Sequence, residues 1–579
     1  MAAIASGAAG NWSATGTWTG GVVPGNGDTV TLGHAVTVDV NTTVGHSPGA
    51  ADATAAILTN GSGSLTVAAG VTLIVRGDIR LNNDDMTLGA GSILEFDASA
   101  AASPSTARYV LQIGTAHSQS ARLLVNGSAG DRAIIRSNSG GANGRITDGG
   151  FIKGGTVQGS YAKLLRIGDV SNNAITFSVS NTANTFSISY FEFDNCGRVQ
   201  NQVAAHGASV ITVSHCTWKN SPAVAENVYI SGAAITTGSR TIEYCVLDKP
   251  LSVITPADMI LRNNVLLLSL GTFTTSTAWS DFRSNLLYGD LNNALAGDST
   301  DCVALTSDAA NPHYLFPPST RNAVFDGWVF ECGTNAADGD IIMGVSPASV
   351  MSYTVRNCIK LPNANSGSSG AFLSLIGNAN QRWTIEHNTY HLGGVVDSSG
   401  VRHGEGETGG AHAGVLISVQ SNLVWDSTAR GYKVTASSLP GTTDALVLGD
   451  YNGGHNFAAG SAGKGYNTTT TTPPGDHDVE ADPEFVDNTR CFRTWDAFLG
   501  GPGTNANALA EMSKMNDDSG YNSAYTIAAY IAWIREGFTP RNAAFQGTAH
   551  DGGDIGAVAV QVPSVAGASG VSVSCSISM

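Results

Sequence analysis

The sequence predicts an all-β fold, a parallel β-solenoid, and three observations carry that prediction. The first is a repeat. "LRNNVLLL" from Leu261 and "FRSNLLYG" from Phe282 share an outline of apolar residue, two mostly polar residues, Asn or Cys, any residue, apolar residue. The same outline returns in "FDNCGR", "VSHCTW", "IEYCVL", "VRNCIK", "IEHNTY" and "VQSNLV", and its fourth position is Cys196, Cys216, Cys245, Asn264, Asn285, Cys358, Asn388 and Asn422. One wide gap holds "FDGWVF" from Phe325, a degraded copy. Repeats with a period of roughly 20–50 residues mark stacked architectures, because one unit cannot bury its apolar face alone. The second observation is that each copy is short, alternating and followed by Gly, Asn, Asp or Pro, the pattern of strand and turn rather than of helix. The third is composition. Seventy glycines and only 13% charged residues suit many turns and stacked strands, and 42% hydrophobic residues argue against disorder.

In a parallel solenoid each coil lies on the previous one at about 4.8 Å, so equivalent residues form columns. Asn in such a column hydrogen-bonds to its neighbours, and Cys fills the same small slot as a weakly polar group. The eight repeat positions are therefore expected to form one internal ladder of Asn and Cys. Eight cysteines are present, and the remaining four, Cys302, Cys332, Cys491 and Cys575, form no close metal-binding pairs. Free buried thiols follow as the expectation.

Along the chain, residues 1–60 read as an N-terminal capping segment, 61–480 as the coils, and 481–579 as the last coil, a capping helix and a tail. Trp12 and Trp18 precede a Pro24-Gly25 turn and the alternating Val30, Leu32, Val36 and Val38. They are placed to plug the first coil, whose open sheet end needs cover; the alternative is a small separate sandwich. From Ser64, "SLTVAAGVTLIVRGDIRL" and "MTLGAGSILEFDAS" keep the alternation going. Thr526 is placed to cap a helix in which Ile527, Tyr530, Ile531 and Ile534 share a face, with Gly537 and Pro540 ending it. That helix is expected over the final coil.

A net charge of −17 with no run of Lys and Arg leaves no footprint for phosphate neutralisation, so no nucleic acid partner is expected. No apolar run approaches membrane-spanning length, and "MAAIASGAAGNW" has neither a basic segment nor a long apolar core, so membrane insertion and a secretory leader are not expected.

Candidate site residues are sparse. Glycan hydrolysis needs two carboxylates about 5–10 Å apart. The densest cluster is the 402–412 loop, where Glu405 and Glu407 are catalytic candidates and Arg402, His403 and His412 ligand-binding candidates among glycines. Glu192 and Asp194 alternate outward on one strand and form a second pair of catalytic candidates. The competing reading of both groups is a set of solvated charges. Histidines and glutamates of the loop have no recognised metal spacing, and neither a metal nor a cofactor is assigned. Arg356, Lys360 and Arg382 lie on coils without an acidic cluster for lyase chemistry, and Asp482 and Asp487 in "DPEFVD" read as turn-capping residues.

"RNNV", "RSNLL", "EHNTY" and "QSNLV" within coils, "DPEFVD" before the last coil and "GGDIGAVAV" closing it resemble the right-handed parallel β-helix, pectate-lyase-like superfamily. The Trp-rich "VPGNGDTVTL" stretch is similar to starts seen in its bacteriophage and surface members. The resemblance implies a right-handed coil and a tailspike- or fibre-like virion structural protein that presents loops to a host surface polysaccharide. It further implies a homotrimer beside other virion proteins, with the C-terminal "VPSVAGASGVSVSCSISM" as a strand for a neighbour. A polysaccharide depolymerase, hydrolase or lyase, and a bacterial surface or secreted adhesin are the alternatives on the same fold. Binding without efficient cleavage is the expectation.

Overall fold

The structure is a computed structural model describing residues 2–46, 55–97, 109–114, 121–138, 151–153, 156–168, 174–177, 185–202, 210–222, 226–231, 239–253, 259–267, 270–273, 279–289, 292–294, 297–305, 314–316, 318, 320–331, 342–343, 348–362, 371–375, 380–391, 399–403, 416–425, 432–434, 446–455, 476–517 and 520–562. Its architecture is all-β with three α-helices among these residues, and the paired strands run parallel in long stacked sheets. This is the arrangement of a parallel β-solenoid.

One sheet begins at Ala3–Ala5 and climbs through Thr29–Leu32, Ala55–Thr59 and Asp78–Leu81 to Leu270–Phe273. A further stack runs from Asn292–Ala294 to Tyr432–Val434. The largest sheet consists of two columns joined where the ten-residue strands Thr156–Leu165 and Thr185–Asp194 run through both. Strand pairing begins with Ala3–Ala5 on Thr29–Leu32 in the first sheet and with Gly10–Asn11 on Ala35–Val38 in the largest. Trp12 and Trp18 are buried at the start of the stack, with ring centroids 4.8 Å apart. Each indole N–H has a carbonyl acceptor, Pro24 O at 3.1 Å and Trp12 O at 2.8 Å.

Between the two columns the chain turns on one residue in the left-handed region, at His215, Tyr244, Asn263, Ser284, Asp301, Asn357, His387, Ser421 and Tyr451, with φ between 52° and 58° except for 49° at Asp301. Left-handed backbone at bulky residues is uncommon, and its recurrence coil after coil makes it the structural corner of this solenoid. The residue after each corner points inside. Asn264 Nδ2 donates to Asn285 Oδ1 at 3.0 Å, Asn388 Nδ2 to Asn422 Oδ1 at 2.9 Å, and the Cys358 amide to Asn388 Oδ1 at 2.9 Å. Cys216, Cys245 and Cys358 are fully buried there, their thiols set against backbone carbonyls. Cys302, Trp328 and Asn452 occupy the same column, as the pairings Leu286↔Val303, Val303↔Val329 and Leu423↔Gly453 fix. Cys196 stands elsewhere. Asp194 pairs with Lys219, which puts Cys196 level with Ser221, one corner further on.

The strands after this corner are buried on both faces: Val246-Leu247, Val265-Leu266, Leu286-Leu287, Val303-Ala304 and Val329-Phe330. The second residue of each pair joins the solenoid interior. The first joins a separate cluster with Phe492, Trp495, Tyr530, Ile531 and Ile534. Phe492 and Trp495 come from α1 (Phe492–Phe498) and the other three from α3 (Ile527–Gly537), while Ala508, Leu509 and Met512 of α2 (Asn505–Met512) join the same cluster. Thr526 caps α3 by accepting from the Ala529 amide, and Ile527, Tyr530, Ile531 and Ile534 are its buried face. The helix expected over the final coil lies instead along the flank of the middle coils, because the outward apolar column there gives its face a partner. Burying it contributes roughly 1.5–3 kcal/mol per large side chain.

Candidate functional site

The helical segment meets the solenoid at a cleft of about 360 Å³. One wall is the strand Thr217–Lys219 with Glu192 of the preceding coil; the opposite wall is the end of α2, at Ala510, and the chain that follows it, from Ser513 to Asp517. Asn516 bolts the two together. Its Nδ2 lies 3.1 Å from Cys216 O and 2.9 Å from Tyr244 O, two successive corner carbonyls. Arg132 completes the brace, donating to Tyr190 O at 2.9 Å and to Asn516 O at 3.2 Å.

The walls carry both signs of charge, with Arg132, Lys219 and Lys514 opposite Glu192, Asp248 and Asp517, and Phe191 and Trp218 supply apolar surface. Among the described residues, Asp248 Oδ1, Asn516 Oδ1 and Trp218 Nε1 are buried without a hydrogen-bond partner. Because Asn516 Nδ2 faces carbonyls, its Oδ1 is left as a spare acceptor. All three atoms belong to residues that line the cleft, and buried polar atoms are normally satisfied, so each is a position where a bridging water or a small shift of the wall completes the network.

Beside the cleft the corner residues form an aromatic stack. Tyr161, Tyr190, His215 and Tyr244 follow one another with ring centroids 4.5, 4.6 and 4.7 Å apart. Tyr244 is 39% exposed. The one-residue turn recurs at the later corners, and here four successive corner positions are aromatic.

Glu192 and Asp194 do project from one strand, in the alternation expected. Lys163 Nζ lies 3.0 Å and Lys219 Nζ 2.5 Å from Glu192 Oε1, while Asn220 donates to Asp194 at 2.9 Å. Burial pushes the Glu192 carboxyl up, but its hydrogen bonds and charge interactions with the two lysines outweigh that and hold it below its ordinary value. A carboxyl held ionised is poorly suited to donate a proton to a leaving group. Arg402 and His403 lie on the strand Ser399–His403, paired between Ala371–Leu375 and Tyr432–Val434. Glu405, Glu407 and His412 lie outside the described residues. Asp482 and Asp487 accept from the backbone amides two residues ahead at 2.9 and 3.1 Å, as turn-capping residues do. Asp248 and Asn516 were not legible as site residues, since only the folding back of a segment about 300 positions downstream places Asn516 at Cys216.

No family model, curated protein or solved structure matches the chain.

Proposed function

We propose that this protein is a glycan-binding solenoid, holding a saccharide in the cleft between the coils and the C-terminal helices without efficiently cleaving it. The observation that carries the reading is the set of unpaired polar atoms, Asp248 Oδ1, Asn516 Oδ1 and Trp218 Nε1, in a mixed-charge cleft beside stacked aromatic rings. A sugar offers hydroxyls that donate and accept, and a C–H face that lies on an aromatic ring. A volume of about 360 Å³ also falls within the range of roughly 300–1,000 Å³ usual for small-ligand sites.

The resemblance to tailspike- and fibre-type β-helices extends this proposal to a virion shaft that displays the cleft to a host polysaccharide. A right-handed coil is part of it, since parallel strand crossovers take that hand in about 98% of cases. Further parts are Trp12 and Trp18 as the N-terminal cap, the C-terminal helices as cover for the coils, and assembly as a homotrimer among other virion proteins. Of the tail proposed to pair with a neighbour, 562–579, all but Val562 lies outside the described residues.

The test is binding of host-derived polysaccharide fragments by calorimetry, with reducing ends and unsaturated uronates followed in parallel. Saturable binding, weakened about tenfold or more by Asp248→Asn and by Tyr244→Ala, with no product released, is the expected result. Binding indifferent to both substitutions would move the site elsewhere, and robust turnover would make the protein a depolymerase.

A further inference from the structure

Two histidines, far apart in sequence, meet where the corner at His387 touches the C-terminal segment around His550. His387 Nδ1 is 3.1 Å from the Asp554 carbonyl oxygen. A carbonyl only accepts, so the hydrogen of that ring sits on Nδ1 and the Nε2 lone pair is left facing outward from the contact. What it faces is Asp551 Oδ2, at 3.2 Å. Asp551 Oδ1 is occupied by the Gly553 amide at 2.9 Å, which aims the second oxygen at the histidine. On the other ring, His550 Nδ1 is 2.8 Å from Ser421 Oγ, a hydroxyl that also accepts from the His550 amide at 3.0 Å. His550 Nε2 faces Glu386 Oε2 at 3.8 Å.

We propose that His387 Nε2, His550 Nε2 and the Asp551 carboxylate bind a divalent transition metal of the zinc class, with Glu386 as the fourth ligand. One ligand atom from each of the first three residues lies within 4.8 Å of the others. Around a tetrahedral zinc with bonds near 2.1 Å, ligand atoms sit about 3.4 Å apart. Side-chain rotations of about an ångström therefore close the set around an ion. The supporting contacts are those a metal site requires, because ligating histidines engage their other ring nitrogen with a carbonyl or hydroxyl, which fixes tautomer and orientation. Without a cation, a lone pair and a carboxylate confront each other unless the ring takes a second proton. Imidazole mixed with carboxylate selects zinc-like ions over calcium or magnesium, which prefer all-oxygen sites. The side chains of His387 and His550 are 18% and 25% exposed, and that of Asp551 is 53% exposed, which leaves a route in from solvent.

Such an ion would clasp the segment 543–562 onto the coils. Phe545, Ala549, Ile555 and Val560 of that segment already pack on Leu423. The metal adds a bond between chain regions more than 160 residues apart.

The experiment is titration of chelator-treated full-length protein with Zn²⁺ by calorimetry and with Co²⁺ by visible absorption, alongside thermal unfolding. One equivalent of Zn²⁺ bound at micromolar or tighter Kd, a Co²⁺ spectrum of low coordination number, and a Tm raised by Zn²⁺ but not by Ca²⁺ or Mg²⁺ are expected. Asp551→Asn still accepts from the Gly553 amide, so it keeps the local turn while weakening binding about tenfold or more. His387→Ala abolishes the Co²⁺ spectrum. Absence of Zn²⁺ uptake by the parent protein, or uptake unchanged in Asp551→Asn, would overturn the proposal and leave the cluster as contacts between histidine rings and carboxylates.

Discussion

The hydroxyl of Tyr530 donates to Glu331 Oε2 at 2.8 Å across 199 positions of sequence, and the Phe492 amide donates to the same oxygen at 2.8 Å. One buried carboxylate on a coil thus receives the first amide of α1 and a side chain of α3. Burial pushes the Tyr530 hydroxyl well above its ordinary range, and the Glu331 carboxylate adds to that, so it stays a donor at any ordinary pH.

Glu331→Ala leaves a buried amide and a buried hydroxyl without their acceptor. The expected loss is about 1.5–3 kcal/mol, the usual magnitude for bonds to a charged group. Urea unfolding measures it, and limited proteolysis should show faster cleavage within 485–560 while the coils resist. Equal protease sensitivity in variant and parent would mean that the helices are held by apolar contact alone.

Asn and Cys share the corner column because both satisfy a neighbouring carbonyl from a small side chain. Asn388→Leu should therefore cost about 1–3 kcal/mol, since the Cys358 amide and the Val355 carbonyl lose their partner. Asn388→Cys should cost less, because a thiol in this column still reaches a carbonyl, as at Cys358 with Arg356 O at 3.2 Å. Denaturant midpoints of the two variants decide it, and a larger loss for Cys than for Leu would refute the shared role.

The strand period and the repeated Asn and Cys made the stacked parallel sheets legible, because a solenoid writes its geometry into each coil. Trp328 was in view as the fourth position of the degraded copy "FDGWVF", whereas Cys302 escaped because its copy, "STDCVA", opens on Ser299 instead of an apolar residue. Both hold the column, since the left-handed corners at Asp301 and Gly327, with φ of 49° and 71°, keep the register. The pairs such as Val265-Leu266 were in view, and two adjacent apolar residues on one strand signal burial on both faces. The identity of the cover could not be read locally, because α1 and α2 are short and α3 finds its partners over 160 residues away. The cleft was illegible for the same reason.

Burial keeps the thiols of the ladder, and that of Cys196 at the next corner, protonated. It pushes Cys196 and Cys358 up to about 12 and raises Cys302 and Cys245 as well. Since the thiolate is the reactive form, native protein at pH 8 should leave these four unlabelled by iodoacetamide, with rapid labelling after denaturation. Peptide mass spectrometry reads the sites. Labelling of Cys358 in the native state would mean that the coils open far more readily than the packing implies.

His391 makes stability depend on pH with a definite sign. It is 7% exposed and its ring lies 4.2 Å from Trp425 and 6.0 Å from Phe538. Burial, followed by the charge of Lys360, lowers its pKa from 6.5 to about 3. The unfolded chain therefore binds a proton that the folded chain refuses between those values. Stability is fully present above about 6.5 and falls as the pH drops towards 3, by up to about 1.4 kcal/mol per pH unit. His215, whose pKa burial also lowers, works in the same direction. His391→Phe keeps the aromatic contacts and removes the proton site, so its denaturant midpoint should change less than that of the parent between pH 7 and pH 5. Parallel midpoints over that window would show that the folded protein accommodates the charged ring, and would place the acid sensitivity elsewhere.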